Sequence, residues 1–300
     1  MRHSWILLVL SAAACVAADR PGTAPIEHQP HAGVPAGFAI RHPVDGAEMV
    51  WVPAGWFRMG MDKDTAVRQA AQLGYADYHE IAGEESFPER LVHVQGFYID
   101  RCEVTFARWK RFVDAMSWKP TTIPPSWVGP ELKSEEAELP IASVTWQAAQ
   151  EYANWAGKQL PSEAMWEKSA RGTDGRWYPW GNELPNRELG VISMTDALPG
   201  PQPVGSCPKG ASPYGCLDMA GNVYEWTSDW KEPYPNNPEV TGEWGHRWAA
   251  LRGGSFYHTR HSYRTVKRFG FPADVTYFHV GMRTAWYPPD DFDHQAHAAK

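Results

Sequence analysis

His258 and His261 stand three residues apart, Tyr263 follows closely, and the chain returns to another imidazole at His279. Imidazole nitrogens suit Cu(II), Fe(II) or Zn(II), so this group could hold a transition metal or simply furnish a polar binding loop. The surrounding stretch is basic. Residues 244–273 contain no Asp or Glu, yet they carry Arg247, Arg252, Arg260, Arg264, Lys267 and Arg268 together with His246. Guanidinium forks bind carboxylate or sulfate through paired hydrogen bonds, so a peptide, a protein or an acidic small ligand is the expected partner of this face. The competing reading is that these arginines pair with buried acids from elsewhere, Arg252 and Arg283 first among them. Cys207 and Cys216 bracket Pro-Lys-Gly-Ala-Ser-Pro-Tyr-Gly, a turn-rich stretch that would let them close a disulfide. So short a loop would contribute about 2–3 kcal/mol. Cys102 would then remain a lone buried thiol.

These side chains must be positioned by a chain of 300 residues, 43% hydrophobic and 21% charged, enough for the core of one or two domains. Its 16 Trp, 26 Gly and 26 Pro favour short elements and exclude a helical bundle or coiled coil. A net charge of −7 disfavours nucleic acid as a partner. Met1-Arg2-His3, the apolar run Trp5 to Val16 and the small residues before Asp19 have the layout of a secretory signal peptide, too short to span a bilayer. Cys15 in Ala-Ala-Ala-Cys loosely resembles a lipidation site, which would add peripheral membrane attachment. The expected organisation is a signal peptide at 1–18, a flexible leader at 19–47 (with His28, His31 and His42), a folded domain at 48–287 and a tail at 288–300. Export to the periplasm or beyond follows.

Within the folded part, Met49 to Pro53 reads as a strand, turned at Ala54-Gly55 onto Trp56 to Gly60 as its hairpin partner. Residues 62–90 read as an irregular surface excursion, and Leu91 to Ile99 as another strand. Thr105 should cap a helix with Phe106, Trp109, Phe112 and Val113 on one face. Thr145 should cap a second, burying Ala149, Tyr152, Ala153 and Ala156, with Gly157 as its stop. Pro161-Ser162 opens a third, carrying Met165 and Trp166 and ended by Gly172. Beyond it lie aromatic-rich strand fragments between Gly, Pro and Asn turns. The whole reads as an α+β domain with little regular secondary structure.

Several segments in one order make the chain resemble the formylglycine-generating enzyme (sulfatase-modifying factor) family. They are Met49-Val50-Trp51-Val52-Pro53-Ala54-Gly55 with Met59-Gly60; Phe97-Tyr98-Ile99-Asp100 through Glu103-Val104-Thr105; Pro140 to Trp146; and Leu160-Pro161-Ser162-Glu163-Ala164 through Glu167. Tyr178-Pro179-Trp180-Gly181, Tyr214-Gly215, Asp218 to Trp226, Arg252-Gly253-Gly254-Ser255 and Gly281-Met282-Arg283 complete the set. The resemblance implies the formylglycine-generating variant of the C-type-lectin-like fold. It also implies a reaction in which two thiolates hold Cu(I) and a sulfatase cysteine is oxidised. The family's cysteines stand three and eight residues after the motif serine, here Ser255, and those positions are His258 and Tyr263. The resemblance therefore supplies a fold and withholds the copper–thiolate activity.

Two further site expectations come from the resemblance. Its calcium loop transfers to Asp218, the Gly221 and Val223 carbonyls and Glu225, with a weaker second site at Asn186 and Asp196. Its substrate face transfers to Ser255–Lys267, where Ser255 matches the motif serine and Arg260 an active-site arginine. Two functions remain open. One is an exported, non-enzymatic ligand- or protein-binding module with structural calcium, as in relatives that diversify residues after Gly-Gly-Ser. The other is an oxidoreductase with a histidine-held copper or iron, as in cysteine-free oxidative relatives; the helical domain that sulfoxide synthases add is not legible here.

Overall fold

Four of the five residues of strand β2 (Glu48–Val52) are buried, and such a strand needs hydrogen-bonded neighbours on both edges. It finds them in β1 (Ala39–Arg41) and β5 (Phe97–Asp100), with β10 (Ala285–Trp286) completing a sheet in the order β1-β2-β5-β10. The expected hairpin across Ala54-Gly55 is therefore not formed. Gly55, at φ +144, turns the chain out of this sheet, and β3 (Gly55–Met59) pairs instead with β4 (Arg90–Val94). The third sheet runs β8-β7-β6-β9, from β6 (Tyr224–Trp230), β7 (Trp248–Arg252), β8 (Phe269–Pro272) and β9 (Val280–Gly281). The computed structural model describes residues 31, 33–72, 77, 83–116, 136–193, 200–237, 247–258 and 260–299, without the side chains of Glu84, Arg260 and His261. Residues 1–18, Cys15, His28, Asp196 and His246 lie outside that description.

The three expected helices form where their caps stand. Arg108 N–H donates to Thr105 Oγ1 at 3.3 Å ahead of α2 (Phe106–Met116). Thr145 caps α3 (Trp146–Trp155), Ser162 caps α4 (Glu163–Arg171), and Gly157 and Gly172 follow at φ +70 and +68. Another helix, α1 (Lys63–Gln72), lies in the supposed surface excursion. Asp62 Oδ2 accepts from Thr65 N–H, and Ala66 and Ala70 turn inward one helical turn apart. One core cluster joins α2 and α3 to the third sheet through Trp109, Phe112, Tyr152, Trp226 and Leu251. A second joins Val52, Phe97 and Ile99 to Phe57 and to Met165 and Trp166 of α4. The architecture is α+β with short curled sheets, and no helix among the described residues is long and apolar enough to cross a membrane.

The ends of the described chain belong to the fold. Part of the expected leader is β1, and the expected tail returns alongside it: Arg41 N–H donates to the His297 carbonyl and Ala299 N–H to that of Ala39. His294 Nε2 meets His31 Nδ1 at 2.9 Å, while its Nδ1 meets Tyr98 Oη at 2.7 Å.

Between α2, α3 and the first sheet lies a buried ionic cluster. Asp100 receives Lys158 Nζ at 2.9 Å, Arg108 at 2.8 Å, and the Thr284 hydroxyl at 2.7 Å. Asp45 receives the same Lys158 and Arg108, along with the Tyr152 hydroxyl. Burial alone would raise the Asp100 carboxyl, but Arg108 and Lys158 outweigh it and hold it below the usual carboxylate range. Asp100→Ala removes the anion and leaves two buried cations short of a partner. Such losses cost about 3–5 kcal/mol, so chemical denaturation at pH 7 should show a drop of that size; a change below about 1 kcal/mol contradicts this reading.

Candidate functional site

Strand β7 delivers Arg252 into the core, and Gly253-Gly254-Ser255 then reverses the chain at φ +95 and +73 for the two glycines. A Cβ on Gly254 would lie 2.7 Å from Tyr263 Cδ1 and 2.9 Å from the Ser262 carbonyl oxygen. The glycine is thus required for the short turn Arg260–Tyr263 to fold back against the motif. Tyr263 is buried, and its hydroxyl accepts from Ser193 N–H at 3.0 Å while donating toward the carbonyls of Ser255 and His258. The position expected to carry a thiol in the family carries a structural tie.

His258 stands at the mouth of this turn. Its Nδ1 lies 2.7 Å from Ser255 Oγ, which also accepts Tyr257 N–H. His279, just ahead of β9, comes from the far side of the same sheet end, and its ring centre is 4.9 Å from that of His258 at an interplanar angle of 61°. It is 6% exposed, and neither of its ring nitrogens has a hydrogen-bond partner among the described residues. Tyr257 stacks on it at 17°, Phe278 meets it edge-on, and Tyr224 lies against His258. Tyr257 and Phe278 are 45% and 52% exposed, so these two rings form an aromatic lip over the buried His279 and the half-buried His258. Burial lowers the pKa of His258, and burial together with His258 lowers that of His279 to about 4. Both rings are neutral at pH 7.

The basic stretch does not make a cationic cleft. Arg268 donates to both oxygens of Glu163, at 2.8 and 2.5 Å, and Arg252 donates to Glu167 at 2.5 Å. Burial alone would lower both guanidinium pKa values, yet Glu163 beside Arg268 and Glu167 beside Arg252 raise them. Arg264 is sandwiched with Trp177 and Tyr178, and Lys267 pairs with Glu85 at 3.3 Å. Four of the six cations that argued for an acidic ligand are therefore used inside the fold. Arg247 is exposed, and the side chains of Arg260 and His261 lie outside the described residues.

The expected disulfide is absent: Cys207, Cys216 and Cys102 are free thiols. The turn-rich loop sends the pair into different clusters, Cys207 against Val191 and Phe256 with its thiol on the Arg187 carbonyl, Cys216 beside Met219 and Trp166. Of the expected calcium side chains, Glu225 is engaged by an arginine. Both oxygens of Glu225 receive Arg283, one of them also Trp166 Nε1, and Asp218 Oδ2 accepts Gly205 N–H. Asp218 Oδ1 has no hydrogen-bond partner among the described residues, and neither has either oxygen of the neighbouring Glu103, so these buried oxygens are the ones a hard cation could use. Gly221, at φ +100, is needed for its close approach to the Val191 carbonyl. Asn186 Oδ1 accepts Glu188 N–H. The family's copper–thiolate pair does not fit, since imidazole and phenol replace the thiols. Tyr257, Phe278 and Tyr224 escaped the sequence reading; the aromatic pairs at 256–257 and 277–278, each next to a histidine, were the signal available.

Residues 37–288 match the sulfatase-modifying factor enzyme 1-like domain. Formylglycine-generating enzyme from Mus musculus is 29% identical over 299 residues, covering 81% of this chain and 76% of that protein. Hercynine oxygenase from Mycolicibacterium smegmatis is 30% identical over 244 residues, covering 69% of this chain but only 54% of that relative. In fold, the chain is similar to PvdO from Pseudomonas aeruginosa, with a TM-score of 0.66, 24% identity, and coverage of 84% of this chain and 98% of PvdO.

Tyr263→Phe removes the acceptor of Ser193 N–H and the donor to the 255–258 carbonyls. An unmade buried hydrogen bond costs about 1–3 kcal/mol. The melting temperature should fall accordingly, and an unchanged value would mean that the hydroxyl does not hold this loop.

Proposed function

This chain belongs to the sulfatase-modifying factor enzyme 1-like family, and we propose that it is a ligand-binding member without copper–thiolate oxidase activity. One observation carries the reading: the two thiol positions are His258 and Tyr263, and Tyr263 is committed to loop structure. Cys102, Cys207 and Cys216 sit in other parts of the fold and offer no replacement pair. What this loop face presents is an exposed aromatic lip, Tyr257 and Phe278, beside two neutral imidazoles. Flat aromatic surface with a few polar atoms suits an uncharged, planar ligand or a peptide side chain of that kind. An acidic ligand is less well served, because Arg252, Arg264, Lys267 and Arg268 are engaged elsewhere. Export is part of the proposal, supported by the basic start and apolar run of residues 1–18.

A second reading, an oxidoreductase with a histidine-held metal, is favoured by the partnerless nitrogens of His279 and by the hercynine oxygenases among the relatives. The first reading predicts no conversion of a Cys-x-Pro-x-Arg peptide incubated with the protein, copper and oxygen, as followed by mass spectrometry. It also predicts saturation-transfer contacts from tryptophan and tyrosine amides that vanish in Tyr257→Ala/Phe278→Ala. Peptide conversion at the rate of an authentic family enzyme, or contacts indifferent to the double substitution, would overturn it.

A further inference from the structure

We infer that His258 and His279 form a two-imidazole site for a borderline divalent cation, Zn(II) or Cu(II), beneath the aromatic lip. The inference rests on the ligand-binding reading only in using the same cleft. Its first support is the orphaned donor set. A buried imidazole normally satisfies at least one ring nitrogen, yet both nitrogens of His279 lack a partner among the described residues. The second support is spacing. With metal–nitrogen bonds of about 2.0–2.1 Å, two imidazoles on one ion have ring centres about 4.5–5 Å apart. The observed separation is 4.9 Å with the rings at 61°, within that range.

The third support is orientation. Ser255 Oγ on His258 Nδ1 fixes that nitrogen as the outer one and leaves Nε2 for the ion, the arrangement typical of metal-bound histidine. Among the described residues, no charged side chain other than the partner imidazole shifts either ring. Their lowered pKa values keep the nitrogens bare at pH 7, as metal binding requires. Two protein donors leave at least two coordination positions to be filled by other donors. A ligand could complete the shell with its own nitrogen or oxygen.

The test is calorimetric titration of EDTA-stripped full-length protein with Zn(II) at pH 7.5. The wild type should show a specific site that His258→Ala and His279→Ala each weaken by more than about 100-fold, while Ser255→Ala weakens it about 10- to 100-fold. His31→Ala/His294→Ala, which removes the other close imidazole pair, should leave this site unchanged. Ser255→Ala alters no proposed ligand and guards against a histidine variant that fails to fold. No specific uptake by the wild type, uptake indifferent to His258 and His279, or uptake lost only with His31 and His294 would overturn the inference. Tyr257→Ala should keep the zinc site while losing aromatic-amide contacts, so failure here is distinguishable from failure of the ligand-binding reading.

Discussion

Glu225 receives Arg283 through both carboxylate oxygens, and the same guanidinium reaches the carbonyls of Asp100, Arg101 and Leu217. Glu163 takes Arg268 through both oxygens and Glu167 takes Arg252 through one, while Asp45 and Asp100 serve Arg108 and Lys158. Desolvating one ion costs several kcal/mol, so these groups persist only because each is paired and further hydrogen-bonded. In a chain with such short sheets they take over part of what long ladders do elsewhere: they satisfy loop carbonyls and fix how the sheets meet. Arg283 in particular gathers the turn before α2, the loop before β6 and β6 itself. An apolar replacement could match the stability of one pair, but not its several carbonyl contacts.

The proposed function rests on how this lattice uses the charged residues. The acid-free segment looks like a cationic surface in one dimension, yet its acids come from Glu163 and Glu167 on α4 and from Glu85. Among the described side chains, what surrounds the Gly253-Gly254 turn after four of the cations turn inward is two imidazoles, Ser255 and a rim of aromatic rings. The Gly253-Gly254 reversal keeps the scaffold that relatives share, while His258 and Tyr263 change the donor chemistry. Scaffold and chemistry are thus separable, as expected when a site is carried on loops held by a rigid frame.

The helices were legible because their signals are local. Thr105, Thr145 and Ser162 precede apolar faces of helical period, and Gly157 and Gly172 stand at the left-handed positions after the last turns. Helix α1 was missed because its buried face is alanine, which carries little hydrophobic contrast, although Asp62 is an adequate cap. The β2–β3 hairpin does not form because the edges of β2 are taken by β1, just ahead of it, and by β5, which lies far along the sequence. The same non-locality hid the fate of the arginines and of Cys207 and Cys216. Spacing shows what a loop can bring together, whereas the side chains settle into whichever core cluster lies beneath them. His258 and Tyr263 were identified by position in the motif; their neighbour His279 was suggested by type, and its burial is a property of the fold.

The central claim is a site built from two neutral imidazoles, one buried and one half-buried, rather than from thiolates or guanidinium groups. Histidine-selective NMR titration of the metal-free protein between pH 8 and 4 tests it most directly. Folding that buries a neutral histidine lowers its pKa, so the unfolded chain binds more protons below about pH 6.5 and stability falls with acid in that window. The account predicts that His258 and His279 both titrate below 6.5, with His279 near 4 and stability declining across the same range. A His279 resonance that titrates at or above 6.5, as for a solvated or acid-paired ring, would contradict it.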